Sequence, residues 1–140
     1  MFIKLLPDQV MRYWDEVSSC IDAALPPHVE PNFINIQELL LVGEMECWVS
    51  IRGNVISAVM VTQWINDSAT GTLQLLIFTL VAVDETHFDT YQEAHDVLIK
   101  YAKSRGCKRI IAYSPHQRVI ELAKAFGADC SWHLLSLEVK

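Results

Sequence analysis

The residues best suited to chemistry stand at two boundaries in the chain. Between Tyr113 and His116 a phenol, the Ser114 hydroxyl and an imidazole fall within one short stretch, where an apolar run passes into a helical one. Groups of this kind exchange protons with a ligand or hydrogen-bond it. Glu44 and Glu46 bracket Met45 at the start of a predicted hairpin, where a carboxylate can bind an amine. Other chemistries lack their residues. There is no Gly-x-Ser-x-Gly elbow, no phosphate-cradling Gly-Lys-Ser/Thr loop and no paired metal-ligand motif, which removes the hydrolase, kinase and metalloenzyme classes. Cys20, Cys47, Cys107 and Cys130 are scattered, without a Cys-x-x-Cys pair or a histidine at zinc spacing. They read as reduced, mostly buried thiols.

These residues need a scaffold, and the pattern supplies one. Phe2 to Leu6 is a short apolar start that reads as a first strand. Pro7-Asp8 then opens a helix whose Val10, Met11, Trp14, Val17, Ile21 and Ala24 recur at three- and four-residue spacing, up to Pro26-Pro27. Asn35 and Glu38 form a capping pattern over a short second helix that Gly43 closes. Met45 to Ile51 and Val55 to Trp64 flank the turn Arg52-Gly53-Asn54 and predict an antiparallel hairpin. Leu73 to Val83 is nearly continuously apolar, as expected of a central strand covered on both faces.

After a polar connection, Ala94, Val97, Leu98, Tyr101 and Ala102 mark the inward face of a long helix ending at Arg105-Gly106. Arg109 to Tyr113 resumes the sheet. Ser114 is placed to N-cap the next helix, with Pro115 at its first position, Gln117 completing a capping box and Gly127 as the stop. An alternating run to the C-terminus predicts a last strand. The expected order is β-α-α-β-β-β-α-β-α-β, an α/β (α+β) fold with a mixed central sheet of six or seven strands and about four helices.

With 140 residues, 51% of them hydrophobic, one domain spanning 1–140 is expected. The net charge of -6 argues against a nucleic-acid or anionic-membrane surface, since both need clustered positive charge. No apolar run is long enough to span a bilayer as a helix, and no signal peptide is visible. A cytoplasmic protein is the expectation.

This order resembles the GNAT superfamily of acyl-CoA-dependent N-acyltransferases across essentially the whole chain. In the closing helix Leu122 and Gly127 match the family pattern, while Ala123 stands where the family has a proton-donating tyrosine. The segment from Val83 to Thr90 occupies the place of the phosphate loop, but it carries no glycine, no arginine and three carboxylates. Trp14, the Gly43–Val49 stretch and Ala102–Cys107 look like the divergent GNAT-like proteins of tailed bacteriophages.

The resemblance implies acetyl-CoA as cofactor, its pantetheine arm pairing with the strand backbone at Leu80, Val81 and Val83. It implies phosphate contacts from Thr86, His87 and Thr90, and a further contact from His116. Glu46 and Tyr113 are the candidates for acid–base work. Two readings follow: an N-acyltransferase with degenerate motifs that moves an acetyl group to an amine, or a non-catalytic GNAT-fold phage protein acting in virion assembly or host-protein binding. The acceptor amine, the protein partner and the oligomeric state are left open by the sequence.

Overall fold

A computed structural model of the chain describes residues 1–82, 88–114 and 116–139. Its elements are β1 (Phe2–Lys4), α1 (Pro7–Arg12), α2 (Trp14–Ala24), α3 (Phe33–Val42), β2 (Met45–Arg52), β3 (Val55–Asn66), β4 (Leu73–Ala82), α4 (Phe88–Ser104), β5 (Arg109–Ala112) and α5 (Gln117–Ala125). The strands lie side by side in the order β1-β2-β3-β4-β5. Pairing is antiparallel from β1 to β4, and β4 pairs with β5 in parallel. The parallel pair requires a crossover, which α4 provides.

Period-two alternation splits the strand residues between two helical layers. Cys47, Val49, Val59 and Val61 face one core with Val10, Val17, Ile21, Ile36 and Leu40 of α1 to α3. Trp48, Ala58, Met60 and Leu75 face the other, with Ala94, Leu98 and Ala102 of α4. The inward face expected for the long helix is the buried one. Sheet and helices thus form the mixed α/β architecture read from the pattern.

Four local expectations are corrected. The first helix is two, because the chain breaks at Tyr13 (φ -102°, ψ 20°) although the apolar spacing runs through it. Three helices therefore precede β2. The cap of α3 is Asn32, whose side chain accepts a hydrogen bond from the Asn35 amide at 3.1 Å, so the helix begins earlier than the Asn35-x-x-Glu38 pattern indicates. It does close at Gly43, whose φ of 83° is a left-handed conformation that a Cβ disfavours. At α5 the N-cap is His116 rather than Ser114, and the Ser114 hydroxyl instead accepts from the His116 amide at 3.1 Å.

The fourth correction is the last strand. Residues 128–139 form no helix or strand, so the described residues contain five strands instead of six or seven. An alternating run becomes a strand only where another strand offers it a ladder, and among the described residues this run has none.

Candidate functional site

β4 and β5 are built to part. Their ladder runs from Gln74↔Arg109 to Ile77↔Ala112 and stops there, while β4 continues through Phe78, Thr79, Leu80, Val81 and Ala82. On its other side β4 stays paired with β3, but the register jumps from Thr62↔Ile77 to Val61↔Thr79. Phe78 is the extra residue of a β-bulge. A bulge bends its strand and raises the local twist, and this one falls where the β5 ladder ends. Among the described residues β4 has no ladder partner on its β5 side beyond Ile77, and this stretch of unpaired edge, the gap referred to below, begins where β5 gives way to the exposed Tyr113.

An extended ligand can add to such an edge through backbone hydrogen bonds. Leu80 packs toward the α4 core and Val81 toward the α1–α3 core, so the side chains are anchored on both faces and the strand is held stiffly. Thr79 is 4% exposed, and its buried Oγ1 has no hydrogen-bond partner among the described residues. A buried hydroxyl left unpaired is costly, and this one sits in the stretch of β4 that β5 leaves open.

The expected phosphate contacts divide. Val83, Thr86 and His87 lie outside the described residues. Thr90 is in the first turn of α4 and buried, and its Oγ1 accepts from Arg52 Nη2 at 3.0 Å. The hairpin between β2 and β3 thereby carries an exposed guanidinium to the positive end of α4. Sequence reasoning missed Arg52, because the contact links residues 38 positions apart through sheet geometry. His116 is exposed at the start of α5, where its side chain makes no capping bond.

The fold does not bring Glu46 to this gap. Glu46 pairs with Thr62, and Thr62 with Ile77, so about 10 Å of sheet separates its backbone from β4. Its carboxylate accepts from Lys4 Nζ at 2.9 Å, Trp64 Nε1 at 2.7 Å and Tyr101 Oη at 2.6 Å. Arg105 lies over the rings of Trp64 and Tyr101, 5.8 and 5.5 Å from their centroids. The bond to Glu46 raises Lys4 above its ordinary lysine value, and burial followed by the same bond raises Tyr101. This cluster ties β1, β2, β3 and α4 together. Glu46 is thereby committed to packing, and Glu44, the other acid at this strand end, is exposed.

Other chemistry is thinly represented. Burial pushes the Cys47 thiol up to about 12, far from a reactive thiolate. Among the described residues no group of three or more His, Cys, Asp or Glu is placed to hold a metal ion. No described helix is long and apolar enough to cross a membrane. A cavity of about 130 Å³ beside β1 and α1, lined in part by Lys4, Pro7 and Glu46, is too small for a cofactor and lies away from the gap.

No protein-family model matches the sequence, and no curated protein matches it. Solved structures do match the fold. An aminoglycoside acetyltransferase from an uncultured soil metagenomic sample superposes with a TM-score of 0.78 at 8% identity, covering 100% of this chain and 95% of that one. A predicted acetyltransferase from Clostridium acetobutylicum, solved with acetyl-CoA, gives 0.77 at 15% identity, with 99% and 95% covered. The ribosomal-protein-alanine N-acetyltransferase of Brucella melitensis biovar Abortus 2308 gives 0.75 at 13% identity, covering 99% of each chain. At these identities the likeness is one of architecture, and the chain has the fold of the GNAT acetyltransferases.

Proposed function

We propose that this protein is an N-acetyltransferase that moves an acetyl group from acetyl-CoA to an amine. The observation that carries the reading is the parting of β4 from β5 beyond Ile77 and Ala112, in a fold that acetyltransferases share over the whole length of the chain. The open edge of β4 fits an arm that contains amide groups, and the unpaired Thr79 hydroxyl in the same stretch fits a site completed by a ligand.

When bound, acetyl-CoA supplies an activated thioester. In this assignment the β4 backbone at Leu80 and Val81 orients the acyl arm, Val83 beyond the described end of β4 is assigned the same role, and fixed backbone dipoles polarise the carbonyl for attack by the neutral amine. Thr86, His87, Thr90 and His116 stand as cofactor contacts, with Arg52 supplying at the start of α4 the positive charge that the 83–90 segment lacks. Tyr113 is assigned as the group that would give a proton to the departing CoA thiolate. Glu46, held by three donors, acts on the site by fixing α4 against the sheet.

The test is release of free thiol from acetyl-CoA with a panel of small and peptide amines. Amine-dependent release that Tyr113→Phe slows supports the assignment, and no release with any amine counts against it. The second reading, a non-catalytic GNAT-fold phage protein that binds a virion or host protein, draws on the exposed apolar run near the C-terminus.

A further inference from the structure

The run from Ser131 to Val139 alternates as a strand does. Trp132, Leu134, Ser136 and Glu138 fall on one face, and His133, Leu135, Leu137 and Val139 on the other. It belongs to no helix or strand, and Trp132, Leu134, Leu135, Leu137 and Val139 are between 68% and 95% exposed. A segment outside any ladder among the described residues, with five large apolar side chains in water, gains by pairing with a sheet edge.

Two neighbouring features lack a layer. β5 ends the sheet, paired to β4 alone among the described residues, with the half-buried Ile110 and Ile111 on an open edge. α5 has no buried residue, and its apolar Val119, Ile120 and Leu122 remain half-exposed. The opposite edge of the sheet is protected differently: β1 is three residues long, and Lys4 closes it with a salt bridge to Glu46.

We propose that the 131–139 run of one copy adds as a strand to the β5 edge of a second copy, against that copy's α5, and that the second copy returns the exchange. The chain carries both donor strand and acceptor edge, so one two-fold pair satisfies both donors and both β5 edges. Ten large apolar side chains across the pair leave water, at roughly 100 Å² each on the order of 1,000 Å² before the backbone is counted. That area reaches the size of a specific interface. This surface is independent of the gap between β4 and β5, and its assignment does not rest on acetyl transfer.

Size-exclusion chromatography with light scattering on the full chain, at tens-of-micromolar concentration, is expected to give twice the chain mass. The Leu135→Asp/Leu137→Asp double variant is expected to give the single-chain mass with an unchanged circular dichroism spectrum, since both side chains are solvent-exposed within one copy. In a dimer assembled from differently isotope-labelled copies, NMR contacts between 131–139 and β5 are expected across chains. A monomeric unmodified chain, a dimer that survives the double substitution, or contacts with β5 confined to one copy overturns the proposal.

Discussion

Ile77 and Ala112 are the last residues that join β4 to β5, and the bulged Phe78 follows Ile77 directly. The stretch of β4 that β5 leaves unpaired therefore begins at the residue that its β3 ladder bulges out. Its outer stretch keeps its β3 ladder, so the edge that faces the gap stays extended and anchored. The functional reading depends on this relationship more than on any single side chain.

Thr79 gives the first prediction. Its hydroxyl is buried and has no partner among the described residues, so replacement by the similarly shaped valine removes a desolvated polar group. Thr79→Val is expected to stabilise the ligand-free protein by about 1–2 kcal/mol in urea unfolding. A loss of stability would show that the hydroxyl is already satisfied in the folded protein.

Glu46 gives the opposite sign. Three donors converge on a nearly buried carboxylate, and Glu46→Gln removes the charge that strengthens all three bonds. Denaturant titration is expected to show a loss of about 1–3 kcal/mol. Unchanged stability would contradict the tying role assigned to this cluster.

Tyr101 links the same cluster to pH. Its phenol is raised above 10.0 by burial and by the bond to Glu46, and Lys4 is raised above 10.5. Between the unfolded and folded values the folded state holds more protons, so its stability falls as pH rises. Stability is expected to be at full strength below pH 10 with respect to these groups and to decline above it. Tyr101→Phe should flatten that alkaline decline, and an unaltered slope would place the titration elsewhere.

Arg52 tests the cofactor geometry. One of its donors is spent on Thr90, and the group is exposed at the start of α4. Arg52→Gln is expected to weaken acetyl-CoA binding roughly tenfold, as loss of a charge-assisted contact does. The thermal midpoint of the ligand-free protein should move little. Unchanged affinity would remove Arg52 from the site.

Much of the architecture was legible because its signals are local. The hairpin turn at Gly53-Asn54, the stop at Gly43 and the inward stripe of α4 each depend on neighbours in sequence, and the fold uses them, although Arg52, read as part of the turn, is the last residue of β2. The break at Tyr13 was not legible, since Val10, Met11, Trp14 and Val17 keep one helical phase across it. Nor was the Ser114 side chain's choice of the His116 amide over a helix cap. The last strand failed for another reason: alternation states what a segment can pair with, while the partner is a property of the fold or of the assembly.

The site was less legible than the fold. Tyr113 stands at the gap because β5 ends at Ala112, which the apolar run itself does not mark. Glu46 was singled out as an acid near a strand end, but its commitment to Lys4, Trp64 and Tyr101 spans separations of up to 55 residues. The bulge at Phe78 has no residue signature, and it emerges only from the register between β3 and β4.

Calorimetric titration of the purified chain with acetyl-CoA, cross-checked by thermal stabilisation, tests the central claim most directly, since a ligand of the native state must raise its stability. The account predicts saturable one-to-one binding per chain, with an upward shift of the melting temperature that grows with cofactor concentration. Absence of heat and of any shift at millimolar acetyl-CoA would contradict it, and the gap between β4 and β5 would then be a feature of the fold without its cofactor.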